Sequence, residues 1–334
     1  MKHSFRSITW LVMLSILLLS GCQHEKQYFE VSGMTHTPYH VKYEYSQSLE
    51  KEIKAEFANY YHSLNPFDSL SIISQINRNE EVEVDSLFAF TFRKVMQVSE
   101  QTNGLFDVTC APLINLWGFG FSKRDSITQQ VIDSIRSFVG YQKIRLEGSR
   151  VVKDDPRMLL NFSAVGDGGI CDLVARLFDR HNIQNYMVEV GGEVVAKGVN
   201  AKGQHWRIGI SKPVDDPAGM SQELEQILHL KQRVGVATSG DYRNFYVKDG
   251  KKYAHTINPT TGYPADQDIL SATIIAPDCL TADAYATAFM VMGSAAARQL
   301  KEQVPEIEYF IIFTDEHGNY ATEHSPGMEP YLSE

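Results

Sequence analysis

Side chains that could manage a metal or a phosphate fall in a few short stretches of this 334-residue chain. In Ala282-Asp283-Ala284-Tyr285-Ala286-Thr287 a carboxylate and a hydroxyl stand four residues apart, so a helix places them on one face. Both are hard oxygen ligands. They suit Mg2+, which takes few protein ligands and completes its shell with water and phosphate oxygens. The same spacing equally describes an acidic helix-start residue followed by a core threonine. A second stretch, Tyr253-Ala254-His255-Thr256-Ile257-Asn258-Pro259-Thr260-Thr261-Gly262-Tyr263-Pro264, delivers an imidazole at a strand end just before a turn. His255 there is either a general acid or base, or a structural histidine.

Three further stretches could meet a ligand through backbone or ring. Asn161-Phe162-Ser163-Ala164-Val165-Gly166-Asp167-Gly168-Gly169 runs through glycines into a helix, and free N–H groups at a helix start favour phosphate. It lacks the P-loop lysine and completes no dinucleotide fingerprint. Glu189-Val190-Gly191-Gly192-Glu193 is a hairpin turn or a place of close backbone approach to a ligand. In Gly104-Leu105-Phe106-Asp107-Val108-Thr109, leading to Trp117, an aromatic beside a carboxylate could stack on a flat heterocycle, or simply pack in the core.

The elements that must carry these groups are mixed in type. Leu49, Ile53, Phe57 and Tyr60 recur at helical spacing and predict a helix over 46–62. Asp85 as N-cap and Asn103-Gly104 as stop predict a second over 85–102. Further helices are expected over 127–139, from the glycines at 166–169 to about 181, and over 281–292. Strands are expected over 37–45, 186–190, 193–198, 206–210, 227–230, 234–237, 244–247, 252–256, 271–276 and 307–313. Hairpins such as 246–253 argue for an α+β fold rather than a doubly wound sheet.

Composition is that of a globular protein, with 43% hydrophobic and 22% charged residues. The net charge of −10 makes the chain a poor non-specific binder of nucleic acid, which needs clustered lysine and arginine, and leaves room for a local basic pocket for an anionic ligand. Lys2 and Arg6 precede an apolar run over 8–19 that is short for a membrane span, and Leu19-Ser20-Gly21-Cys22 follows as in a bacterial lipobox. The expected division is a signal peptide over 1–21, a polar tether over 22–32 beginning at an acylated, palmitate-bearing Cys22, and one catalytic domain over 33–330. Cys110, Cys171 and Cys279 show no CxxC spacing and read as buried thiols, with one disulfide left open outside the cytoplasm.

Taken in order, these stretches resemble the ApbE-type FAD:protein FMN transferases, bacterial envelope lipoproteins. The likeness runs from about Ser32 to about Gly293. It also includes Thr37-Pro38-Tyr39, Ser71-Ile72-Ile73-Ser74-Gln75-Ile76-Asn77 and Ala237-Thr238-Ser239-Gly240-Asp241-Tyr242. The resemblance implies an ApbE-like, T-fold-like α+β architecture, with mixed and antiparallel sheets and flanking helices. It implies FAD as substrate, Mg2+ as cofactor, and transfer of FMN to a threonine or serine of an acceptor protein with release of AMP. Envelope redox-pump subunits are the implied class of acceptor.

Carried over by motif, Ala164 would offer its carbonyl to the metal beside Asp283 and Thr287. His255 would stand near the reacting phosphate, and His255 or Asp283 would be the base. Thr35, Phe67, Leu105, Phe106, Asp107 and Ile257 fall at FAD-contact positions. The phosphate-side segment departs from the family pattern: Asn161 replaces an aspartate, Asp167 a lysine and Gly169 a tyrosine, while His36 replaces the glycine before Thr37. Asp167 reverses a charge beside an anionic dinucleotide. At an effective dielectric of about 20, a unit charge at ~6 Å is worth roughly 3 kcal/mol before screening. Three readings follow: a transferase with a modified pocket, a lipoprotein that binds FAD or hydrolyses it to FMN and AMP, and a non-catalytic paralogue.

Overall fold

The computed structural model describes residues 26–120, 127–213, 223–240 and 256–332, together with the backbone of 245–248 and 251–254. Its strands are β1 (Gln27–Met34), β2 (Pro38–Tyr45), β3 (Ile144–Glu147), β4 (Arg150–Lys153), β5 (Tyr186–Val190), β6 (Glu193–Lys197), β7 (Trp206–Ser211), β8 (Leu224–Leu230), β9 (Val234–Gly240), β10 (Phe245–Lys248), β11 (Lys251–Ala254), β12 (Ile269–Ala276), β13 (Glu308–Thr314) and β14 (Tyr320–His324). The helices are α1 (Glu50–Leu64), α2 (Ile72–Asn77), α3 (Ser86–Gln101), α4 (Ala111–Leu116), α5 (Gln129–Arg136), α6 (Gly166–Arg180), α7 (Cys279–Gln303) and α8 (Glu329–Leu332). The fold is α+β.

Eight strands form one antiparallel sheet in the order β1-β2-β5-β6-β9-β12-β13-β14, and β3–β4, β7–β8 and β10–β11 are separate ribbons. Both faces of the sheet centre are covered. Val195, Ala237, Ala272, Ile274 and Ile311 join the core that α1, α3, α6 and α7 build on one side. Their neighbours Val194, Val236, Ile275, Phe310 and Ile312 pack on the other side against Trp206, Leu228 and Leu230 of the β7–β8 ribbon and Tyr331 of α8. That explains why β12, Ile-Leu-Ser-Ala-Thr-Ile-Ile-Ala, reads as a run rather than an alternation. Phe178 of α6 is fully buried between Tyr43 and Tyr186, at ring separations of 4.8 and 5.3 Å. Truncating it to alanine would cost about 3–5 kcal/mol.

Several sequence expectations need correction. The polar segment taken as a tether over 22–32 is, from Gln27 onward, the edge strand β1 paired with β2. A strand with one free edge and charges on its surface looks like linker in sequence. Helix α5 is shorter than 127–139. Helix α7 is longer than 281–292 and is broken at Gly293, whose φ of 77° is left-handed. Strands β3, β4 and β14 and the short helices α2, α4 and α8 carry too little periodicity to stand out. Asp85 does cap α3, accepting the Phe88 N–H at 2.7 Å, and Asn103 and Gly104 end it with positive φ. No helix among the described residues is long and apolar enough to cross a membrane.

Candidate active site

A cavity of about 880 Å3 lies where the C-terminal end of β9, the β5–β6 turn, the α6 start and α7 meet the loop after α3. Its lining includes Asp283 and Thr287 together, so the two residues do share a face of α7. Asp278 fixes the start of that helix, accepting Thr281 N–H at 2.9 Å and the Lys94 ammonium at 2.8 Å. Asp283 is buried one turn further on and accepts the Gly168 N–H at 3.2 Å. Burial holds its carboxyl well above the usual carboxylate range, and the charges of Glu193, Asp167 and Asp172 push the same way against that one hydrogen bond. A cation brought against this carboxylate would relieve all three repulsions.

Helix α6 reaches α7 because its first turn is glycine-rich. A Cβ on Gly168 would lie 2.7 Å from the Cys279 carbonyl, and one on Gly169 2.8 Å from the Tyr60 ring. Residues 166–169 are the first turn of the helix rather than a turn before it; Gly168 and Gly169 permit the close packing, and the Gly168 N–H is taken by Asp283. Ala164 lies in the single 3-10 turn just before α6, on the cavity wall. Asn161 lines the wall too, and its side chain accepts the Ser163 N–H at 2.8 Å. Asp167 faces the cavity and accepts the Thr37 hydroxyl at 3.1 Å; its burial raises its pKa, opposed by that hydroxyl and by His36. Gly191, at φ 65°, lets the β5–β6 turn pass the Asp167 carboxylate, which a Cβ would meet at 2.1 Å.

The opposite wall comes from the loop after α3. Leu105, Phe106 and Asp107 all line the cavity. Phe106 is nevertheless largely buried, as is Trp117, whose indole N–H donates to Gly262 at 2.8 Å and ties this loop to the 256–264 turn. Asp107 is a brace: one oxygen accepts Thr109 N–H and hydroxyl at 2.8 and 2.7 Å, the other Tyr141 N–H at 2.8 Å. Phe67 lines the mouth and is 63% exposed. Ile257 is buried on the wall, followed by a turn in which the Asn258 side chain accepts the N–H groups of Thr260 and Thr261.

Not every expected contact is brought in. Thr35 is exposed and outside the lining, its hydroxyl accepting from Tyr61 at 2.7 Å. Its neighbour Thr37 takes the cavity position. His255 and Cys22 lie outside the described residues. The sequence set Thr37, Glu193, Thr238 and Ser239 within motifs without giving those side chains a role, and Thr273 only within a strand; all five line the cavity. One signal was available: β9 passes from Val-Gly-Val-Ala to Thr-Ser-Gly, hydroxyls at the strand end, and Thr238 there hydrogen-bonds Thr273 of β12 at 2.9 Å. Among the described residues no three His, Cys, Asp or Glu side chains converge as a metal cluster. The fit to a cation therefore depends on the buried Asp283 carboxylate with the Thr287 hydroxyl and Ala164 on the same cavity and further carboxylates nearby, an all-oxygen set that suits a hard cation such as Mg2+.

The ApbE family profile matches residues 35–311. The FAD:protein FMN transferase of Vibrio cholerae is 34% identical over 339 residues, covering 97% of this chain and 99% of its own. That of Haemophilus influenzae is also 34% identical, with 90% of each chain covered. Among solved structures, the flavin transferase ApbE from Vibrio cholerae superposes with a TM-score of 0.81 at 30% identity, covering 92% of this chain and all of that one. The apo flavinyl transferase ApbE of Pseudomonas stutzeri gives 0.81 at 27% identity over 93% of this chain and 99% of that one. With the Asp283–Thr287 face, the loop after α3 and the 256–264 turn gathered on one cavity inside the matched span, the chain belongs to the ApbE family.

Proposed function

We propose that this chain is an FAD:protein FMN transferase, which moves FMN from FAD to a threonine or serine hydroxyl of an acceptor protein and releases AMP. One observation carries the reading. Stretches far apart in sequence, at 105–107, 161–167, 256–257 and 283–287, border a single cavity of about 880 Å3, within the roughly 300–1,000 Å3 of small-molecule sites.

In the reaction the acceptor oxygen attacks the phosphorus of the FMN half. The P–O bond to the AMP half breaks, and the hydroxyl proton passes to a base. His255 is that base, since a metal-held Asp283 is less basic. Asp283, Thr287 and the Ala164 carbonyl would hold Mg2+, which when bound neutralises charge on the pyrophosphate and the departing AMP. Phe67, Leu105 and Phe106 offer apolar surface to the flavin, and Asp107 holds their loop in shape. Asn161, Asp167 and Ile257 contact the rest of the dinucleotide. The Cys22 lipid anchor would keep the chain at the cell envelope, where its acceptor would be an envelope protein such as a redox-pump subunit.

The test is incubation of the purified protein with FAD, Mg2+ and a candidate acceptor, followed by mass spectrometry of the acceptor. Covalent FMN with matching AMP supports the proposal. Free FMN and AMP without acceptor assigns a hydrolase instead, and no turnover with any acceptor removes the enzymatic reading. His255→Ala should bind FAD and lose transfer; wild-type turnover in that variant would take His255 out of the mechanism.

A further inference from the structure

We propose that Cys171 of α6 and Cys279 of α7 form a disulfide that ties the two helices together behind the active-site wall. Several contacts place the residues side by side. Asp172, next to Cys171, accepts the N–H groups of Cys279 at 3.0 Å and of Leu280 at 2.9 Å. Gly168, one turn earlier, sits directly against the Cys279 carbonyl. The Cys171 thiol donates to the Glu193 carbonyl and the Cys279 thiol to the Val236 carbonyl, each at 3.3 Å. Those carbonyls belong to adjacent strands, since Val194 stands opposite Val236. The two thiols are close enough for each to bear on the other's protonation. An S–S bond of about 2.05 Å asks for Cα atoms roughly 4.4–6.8 Å apart, the range of directly packed neighbours such as these.

Neither sulfur lines the cavity, so the transfer chemistry leaves both unused; Cys110, by contrast, does line it. Oxidation removes two protons and two electrons from the pair. An incoming disulfide accepts them by thiol–disulfide exchange, passing through a mixed disulfide and leaving as two thiols. Burial pushes the Cys171 thiol up to about 11 and holds Cys279 well above the usual thiol range, so the docked pair holds little thiolate. Exchange therefore belongs to folding, before α6 and α7 close on each other. An oxidising compartment, where the Cys22 lipobox would direct the chain, supplies such oxidants. The bond closes a loop of about 110 residues and fixes the approach of Gly168 to Asp283.

The experiment refolds the reduced chain with and without glutathione disulfide, alkylates remaining thiols in denaturant and maps peptides by mass spectrometry. The expected product joins the Cys171 and Cys279 peptides with loss of about 2 Da, leaves Cys110 alkylated, and melts about 5–10 °C above the reduced form. A double variant, Cys171→Ala with Cys279→Ala, should melt at one temperature under both conditions. Alkylation of both residues after oxidative refolding, or linkage of either to Cys110, overturns the proposal. The wild-type peptide map decides even where the double variant fails to fold.

Discussion

Two carboxylates face the same cavity from opposite walls and are treated in opposite ways. Asp107 accepts three donors from its own loop and from Tyr141. Asp283 is given one N–H and set among Glu193, Asp167 and Asp172. Burial raises the pKa of both, but around Asp107 the hydrogen bonds and Lys143 oppose it, while around Asp283 the neighbours add to it. Asp107 is thus a structural acceptor whose capacity is filled within the chain. Asp283 is left with unfilled capacity for positive charge, which is the condition of a cation ligand before the cation arrives.

Substitution separates the two most sharply. Asp283→Asn should lower FMN transfer by ~10²–10³-fold, the several kcal/mol a metal contributes to charge stabilisation. Its urea midpoint should hold or rise, because a repelled charge is gone. Asp107→Asn should instead lose about 1–3 kcal/mol of stability, since an amide NH2 would face an N–H it cannot accept. Equal stability losses in the two variants would dissolve the distinction. Mg2+ at a hundredfold its Kd should stabilise the wild type and Asp107→Asn by about 2.7 kcal/mol, read as a thermal shift, and leave Asp283→Asn unmoved. A shift in all three would place the ion elsewhere.

Asp172 is the intermediate case. It accepts two helix N–H groups, yet burial and the Asp278 charge raise its pKa to about 6. A pKa raised by folding gives stability that is complete below about pH 4 and is lost as pH climbs through 6. The wild type should therefore gain about 1.4 kcal/mol between pH 7 and pH 5 from this group. Urea midpoints of wild type and Asp172→Asn across that range measure it; parallel curves would refute it. The smallest effect tests the acidity of the wall itself. Asp167→Lys should tighten FAD binding about tenfold after screening, and unchanged affinity in a fluorescence titration would remove Asp167 from the electrostatics of the site.

Much of this was legible in sequence where the signal is local. The spacing of Leu49, Ile53 and Phe57 gives α1, the Asp85 cap gives the start of α3, and alternation gives β5. The Asp283–Thr287 pair was legible as one face of one helix. What sequence hid is tertiary. Gly168 and Gly169 look like loop, and only the approach of Cys279 and Tyr60 explains them as helix. The partner of Thr37 lies 130 residues away, so no window contains the pair. Strand β1 escaped because an edge strand keeps polar residues on the surface that a linker also would.

Gly293 carries a last implication. Its left-handed backbone divides α7, and Asp268 then caps a fresh helical start, accepting the N–H and hydroxyl of Ser294 at 2.8 and 2.5 Å. The rung that bears Asp283 and Thr287 and the one that bears Arg298 and Leu300 therefore belong to two separately capped helical segments. The aim of the upstream rung is thus set by its own cap at Asp278 and not by the course of the helix beyond Gly293.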